Sequence, residues 1–274
     1  MKLLHLTDIH LTTPGQTIAG RDPNANFEKA LEHALELHSD AEALFITGDL
    51  SDWGEDDDYV RLRERIALLP MPVHLCIGNH DDRPTFLARF PEFEGDGGFV
   101  HAVTPLSFGH AITLDTWGPD SHAGHFCEDR ATWLSDQLND LPGPIWLFMH
   151  HNPVPIGVEP MDKIMLLDAK RFSETIRPHR AKIAHIFHGH CHIPLSGSLH
   201  GIPFSAPRGT NHAGWPDFAA TRLLAGSDLA EAYSVILARA DSTTVHMVEF
   251  GYGGKIRTEG SPDYAEWDKL TMIR

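Results

Sequence analysis

Short, nearly unbroken apolar runs punctuate the first two-thirds of this chain. They are Lys2-Leu3-Leu4-His5-Leu6-Thr7, Ala43-Leu44-Phe45-Ile46-Thr47, Val73-His74-Leu75-Cys76-Ile77, Ile145-Trp146-Leu147-Phe148-Met149 and Ile183-Ala184-His185-Ile186-Phe187. Runs of this length suit strands buried on both faces. Between them the apolar spacing changes to that of a helix. Phe27, Ala30, Leu31, Ala34, Leu35 and His38 share one face of a helix predicted over 24–38, with Asn24 or Asn26 as its cap. A second helix is predicted over 56–69 and is stopped by Pro70 and Pro72. Its acidic start, Glu55-Asp56-Asp57-Asp58, suits solvent and the positive end of the helix dipole. Further helices are expected near 84–90, over 128–141 with Trp133, Leu134, Gln137 and Leu138 inward, and over 166–177; residues 99–103 and 111–115 read as paired strands.

Strands that alternate with helices imply parallel pairing through helical crossovers, an α/β arrangement. The later chain differs. Residues 195–199, 202–206, 219–224, 232–237 and 245–250 are short strand-like runs separated by turns, and they suggest a second, largely antiparallel sheet. Neither internal repeats nor a low-complexity linker interrupts the chain, so one domain over 1–274 is expected, with 209–254 as the stretch for a cap or a subunit contact.

Each early strand is followed by polar residues of one chemical kind. After the first come Asp8 and His10; after the second, Gly48-Asp49; after the third, Gly78-Asn79-His80-Asp81; after the fourth, His150-His151; after the fifth, Gly189-His190-Cys191-His192. Asp8 and His10 lie two apart and grip one ion if the chain stays extended past its strand, as do His190 and His192. Carboxylate and imidazole together suit borderline divalent cations. Asp49 has two oxygens and can bridge two ions about 3.5–4 Å apart, whose repulsion requires a shared anionic ligand. Asn79 offers a neutral amide oxygen. Its neighbour His80 points elsewhere and is free to handle protons. Any one of these histidines alone reads equally well as a hydrogen-bonded or surface residue; five such segments in order, each behind a strand, read as a metal centre.

These residues resemble the calcineurin-like metallophosphoesterases, whose pattern runs D-x-H, G-D, G-N-H-[DE], H and G-H-x-H over roughly the first 190 residues. The resemblance implies a four-layer αββα sandwich of two mixed β-sheets flanked by helices, the metallo-dependent phosphatase fold. It implies two divalent metal ions, Mn, Fe, Zn or Co. One would be held by Asp8, His10, Asp49 and His192, the other by Asp49, Asn79, His150 and His190. His80 takes the place of the family's acid beside the substrate phosphate. Residues 18–26 and 149–157, the latter preceding Met161-Asp162, resemble the bacterial branch with glycerophosphodiesterases and class III cyclic-nucleotide phosphodiesterases. Hydrolysis of a small phosphodiester by a metal-activated hydroxide is therefore expected, with phosphomonoester hydrolysis or a non-catalytic metal-binding scaffold as alternatives. The branch also implies a homo-oligomer.

Smaller expectations concern neighbouring side chains. His80, Asn79, His151 and His212 are candidate substrate contacts, although His151 serves equally as a structural hydrogen-bond partner. Asp81 orients His80 or nearby backbone, or caps a helix. Arg21 pairs with a phosphate oxygen or is a surface arginine. Cys191 is an inert side chain facing away from the metals, or an oxidation-sensitive thiol. Trp117, Trp215 and Trp267 are expected in the core or an interface and not against substrate.

The whole-chain balance narrows the partners. With 22 Lys and Arg against 38 Asp and Glu, the net charge is −16. Such a surface disfavours long nucleic acid, which needs basic grooves. No run approaches the ~20 apolar residues of a membrane helix. The strand at the N-terminus leads to an expectation of no cleavable secretory segment. Three widely spaced cysteines provide no disulfide framework, so a reducing cytoplasm is expected.

Overall fold

Consecutive side chains of the apolar runs enter different cores. Leu3, Phe45, Trp146 and Phe148 pack together in one cluster; Leu4, Leu44 and Ile46 belong to a second; Ile145 and Leu147 to a third. This is the period-two alternation of strands buried on both faces. The computed structural model describes residues 1–256. Its strands are β1 (Lys2–Leu6), β2 (Ala43–Thr47), β3 (Val73–Cys76), β4 (Ala102–Pro105), β5 (His110–Thr113), β6 (Ile145–Phe148), β7 (Ile183–Phe187), β8 (Leu195–Leu199), β9 (Ile202–Ala206), β10 (Ala213–Trp215), β11 (Ala225–Ser227), β12 (Tyr233–Ala238) and β13 (Thr243–Val248). Its α-helices are α1 (Pro23–His38), α2 (Asp56–Ile66), α3 (Arg83–Arg89), α4 (Glu128–Asp140), α5 (Glu159–Asp162) and α6 (Ala169–Ile176).

Two mixed sheets result. One has the order β13-β12-β1-β2-β3, with β1, β2 and β3 parallel and β12 antiparallel to β1. The other has the order β4-β5-β6-β7-β9-β8, parallel from β5 through β9, with antiparallel edges. The sheets meet across the cluster of Leu3, Phe45, Trp146 and Phe148, where the Phe45 and Phe148 rings stack 3.9 Å apart. Phe27 and Leu31 of α1 and Tyr59 and Leu62 of α2 cover the outer face of the first sheet, and Leu134 and Leu138 of α4 and Phe172 and Ile176 of α6 that of the second. Helix, sheet, sheet, helix is the four-layer sandwich that the motifs imply.

The later strands do not form one large sheet of their own, contrary to expectation; only β10 and β11 pair by themselves, as a two-stranded antiparallel sheet. β8 and β9 extend the second sheet, whereas β12 and β13 extend the first beside β1. Alternation identifies a strand but does not identify its neighbour. Residues 219–224 are not a strand; they lie in the turn region before β11, and Leu223 is 80% exposed. The first helix is capped by Asp22, whose carboxylate accepts from the Asn24 and Ala25 N–H groups, and not by Asn24 or Asn26. Asp58 is not solvated: it is buried against Ser51 Oγ and the Arg61 guanidinium. Trp267 lies outside the described residues.

Several histidines are packed as neutral groups. His5 sits edge-on between Phe148 and Phe187 and bonds Thr47 Oγ1 at 2.8 Å; burial pushes its pKa down to about 3. Burial likewise lowers His185, and His101 stacked on Trp133, each to about 4. The unfolded chain binds protons at these rings near the ordinary value of about 6.5, so it takes up more protons than the folded one below that pH. Their contribution is intact above pH ~6.5 and falls as pH drops towards the folded values, by ~1.4 kcal/mol per unit for each ring. Thermal melts should therefore move down between pH 7 and pH 5, and His5→Gln should flatten the slope by about one proton. A pH-independent midpoint would contradict neutral burial.

Candidate metal centre

The residues behind the strand ends do not stay extended. Asp8, His10, Asp49, His190 and His192 have φ of 54°, 48°, 48°, 67° and 52°. This left-handed region is sparsely populated by residues other than glycine, and clusters of it mark functional sites. The expectation that extended chain aligns Asp8 with His10, and His190 with His192, is thus corrected: tight left-handed turns bring them together. Two glycines permit the crowding. A Cβ on Gly78 would collide with the Asp49 carboxylate, and one on Gly189 with the Thr7 hydroxyl. The strand-end loops are also tied directly, since Asp8 N–H donates to the Gly48 carbonyl at 3.1 Å and His190 N–H to Asp8 Oδ1 at 3.1 Å.

Side chains from all five segments converge. Ligand atoms of Asp8, His10, Asp49 and His192 lie within 4.8 Å of one another. His10 Nε2 is 3.2 Å from His192 Nε2 and 3.6 Å from Asp49 Oδ2, and His192 Nε2 is 3.3 Å from Asp8 Oδ1. On the other side of Asp49, His150 Nε2 lies 3.3 Å from Asp49 Oδ1 and 3.1 Å from Asn79 Oδ1. The His190 ring is centred 5.1 Å from that of His150. Asp49 therefore stands between two groups of donors.

The chemistry of these contacts fits cations. His150 Nδ1–H donates to the Thr47 carbonyl at 2.7 Å and His192 Nδ1–H to the His212 carbonyl at 3.1 Å, while His10 Nδ1–H faces Asp52 Oδ1 at 3.1 Å. Each ring is thereby fixed in the tautomer whose Nε2 lone pair points inward, as in protein metal sites generally. His190 is reversed: its Nε2 meets the Ile164 carbonyl at 3.1 Å, leaving Nδ1 as the free nitrogen. Asp8 Oδ2 is buried without a hydrogen-bond partner. With the rings neutral, lone pairs and carboxylate oxygens face one another, an arrangement that needs positive charge. A proton partly supplies it. Burial opposes protonation of His150, yet Asp49 beside it raises the ring to about 9. Burial also opposes ionisation of Asp49, but His150 and His80 hold its carboxyl well below the usual range. A proton and a divalent ion compete for such positions.

His80 stands beside the donors. Its Nδ1–H donates to the Asp52 carbonyl oxygen at 2.8 Å, its backbone N–H donates to Asp49 Oδ1 at 3.0 Å, and its side chain is 24% exposed to the cleft. Asp52 was not visible as a site residue in the motif pattern, yet it orients both His10, through its carboxylate, and His80, through its carbonyl. His122 carries no motif signal either. It lies on the loop between β5 and α4, with Nδ1 3.0 Å from Asn79 Nδ2 and its ring 5.3 Å from His80. Asp81 neither orients His80 nor caps α3, a role taken by Asp82. It accepts from the N–H groups of Leu50, Ser51 and Gly78 and from the Tyr59 hydroxyl, so it joins the Asp49 loop to the Asn79 loop. Orienting groups behind a metal ligand are commonly worth about 10–100-fold in metal affinity. Asp52→Ala should weaken ion binding by about that factor, measured by metal titration; unchanged affinity would count against its orienting role.

The remaining sequence candidates divide. His212 lines the cleft with its ring 4.1 Å from that of His192. His151 is fully buried behind His150 and His190, with Nδ1 2.8 Å from Thr116 Oγ1, so it is packed away from the cleft that a substrate enters. Arg21 pairs with Glu231 at 3.3 Å and the Leu229 carbonyl, away from the donors. Cys191 is buried beside Val158, Met161 and Ile193, and burial raises its thiol well above the ordinary range. Trp117 is half-buried, its indole N–H on the Asp81 carbonyl. Trp215, expected in a core or interface, instead lines the cleft and is 52% exposed.

Comparison with known proteins bears on this geometry. A family model described as calcineurin-like phosphoesterase matches residues 1–194. A probable cyclic nucleotide phosphodiesterase of Rhodopseudomonas palustris is 35% identical over 261 residues, spanning 93% of this chain and 95% of that protein. A probable glycerophosphodiester phosphodiesterase of Arcobacter nitrofigilis is 27% identical over 198 residues, spanning 70% of this chain and 72% of its own. Among solved structures, a dimetal phosphatase from Danio rerio superposes with a TM-score of 0.69 at 13% identity, covering 91% of this chain and 96% of that one, a likeness of fold.

Proposed function

The chain belongs to the calcineurin-like phosphoesterase family, and on that premise we propose that it hydrolyses small phosphodiesters at a pair of divalent ions. Asp8, His10, Asp49 and His192 would hold one ion; Asp49, Asn79, His150 and His190 the other. The observation that carries this reading is the inward convergence of lone pairs on both sides of Asp49, with the outer ring nitrogens already hydrogen-bonded. Bound ions would supply Lewis acidity and lower the pKa of a coordinated water towards neutrality. Mixed oxygen and nitrogen ligation suits Mn, Fe, Zn or Co.

The chain's own residues supply the rest. His80, held by Asp52 through Nδ1, presents Nε2 to the cleft, where it protonates the departing alkoxide or holds charge that develops on it. Asn79 and His122 line the same wall and offer polar contacts to phosphoryl or sugar oxygens. The cleft, about 530 Å³, is of a size that takes a small molecule. Diesters are favoured over monoesters by the names of the relatives, which include both cyclic-nucleotide and glycerophosphodiester enzymes.

A substrate panel tests the reading. The Mn(II)-loaded chain should hydrolyse bis(p-nitrophenyl) phosphate, cyclic AMP or glycerophosphoethanolamine with kcat/KM at least about tenfold above that for p-nitrophenyl phosphate, and EDTA should abolish turnover. Turnover of the monoester alone would overturn it.

A further inference from the structure

The cleft has two chemically distinct walls. The floor and one wall carry the histidines and carboxylates described above. The rest of the cleft lining is mainly apolar, including Ile18, Met161, Ile164, Ile193, Trp215 and Leu224. It is built mainly by the β10–β11 hairpin and the segment running from α5 to Ile164. The hairpin is registered against the donors: Gly214 N–H donates to the His192 carbonyl at 2.9 Å, and His212 immediately precedes β10. Gly214 makes that approach feasible, because a Cβ there would meet the Cys191 carbonyl and Ile193 Cγ1, both at 2.9 Å. Trp215 and Leu224, on the two arms of the hairpin, remain 52% and 51% exposed at the same opening. Large apolar side chains left open beside a polar floor mark a binding surface for an apolar group.

We propose that this hairpin wall is a subsite for the planar base of a nucleotide diester, with Trp215 as its stacking face and Leu224 as its edge. The inference rests on the phosphodiesterase reading and deepens it by naming the substrate class. One observation favours a base over a glycerol-type alcohol, and two more are what a base subsite requires. The wall offers an indole and aliphatic side chains but no polar side chain to a hydroxyl-rich group. Its attachment to the His192 loop sets base and phosphate at a fixed separation. The cleft volume admits a mononucleotide beside the donors. Aromatic side chains stack on any base, so the subsite selects for a base without choosing strongly among bases.

The test uses the full Mn(II)-loaded chain with cyclic AMP and glycerophosphoethanolamine as paired substrates, together with direct calorimetric titration by adenosine, which has no phosphate. The wild-type chain should prefer cyclic AMP. Trp215→Ala should lower the ratio of the two kcat/KM values by about tenfold, through KM for cyclic AMP, and weaken adenosine binding to a similar degree. Trp215→Phe should restore most of both, and because residue 215 is half-exposed the melting temperature should not change. A wild-type preference for glycerophosphoethanolamine, an equal loss on both substrates, or adenosine binding indifferent to Trp215 would overturn the subsite. Hydrolysis of neither diester, alongside adenosine binding that depends on Trp215, would support the subsite and remove the phosphodiesterase reading, so the two fail separately.

Discussion

Asp49→Ala is expected to strip both ions from the protein and reduce kcat/KM by at least about 10³-fold, a loss of roughly 4 kcal/mol of transition-state stabilisation. Asp49 faces both groups of donors. Asp49 Oδ1 lies 3.3 Å from His150 Nε2, and Asp49 Oδ2 lies 3.6 Å from His10 Nε2. Its removal deletes the shared anion that screens two neighbouring cations, so affinity on each side should fall together. It also deletes the anchor for the His80 backbone N–H. Elemental analysis after gel filtration, read beside turnover, checks this. A variant that keeps two ions and its activity would refute the role given to Asp49.

His80→Ala should behave differently. The His80 ring is held by Asp52 and faces the cleft, and its loss leaves Asp8, Asp49, Asn79 and the four candidate histidine ligands in place. Ion content should therefore be retained while kcat falls about 10²–10⁴-fold, the usual range for a lost proton-transfer group. The loss should shrink for a p-nitrophenolate leaving group, which departs without a proton, and be largest for an alkoxide. An equal loss across leaving groups would point to a structural role instead.

Much of this site was legible because its residues follow strands, and buried strands announce themselves by unbroken apolar runs. The runs at 43–47 and 183–187 coincide with β2 and β7. The five polar segments come together because parallel strands place their carboxyl ends on one edge, where open α/β sheets bind ligands. What escaped the sequence depends on geometry that periodicity does not encode. Asp52 follows Asp49 by three positions, and only the left-handed turn at Asp49 and the course of the loop beyond it turn Asp52 towards His10 and His80. His122 belongs to a loop with no periodic signal. The strands β12 and β13 are as legible in the sequence as β8 and β9, yet they join the opposite sheet, because pairing is decided by which edge is open beside β1. By residue type Trp215 reads as a core or interface residue; its hairpin holds it at the mouth of the cleft.

The most direct measurement is the number of ions the chain binds. Titration of the chelator-treated protein with Mn(II), followed by calorimetry, should reach two ions per chain, with catalytic turnover appearing as the sites fill. Saturation at a single ion, or full turnover with none bound, would contradict a centre built around Asp49.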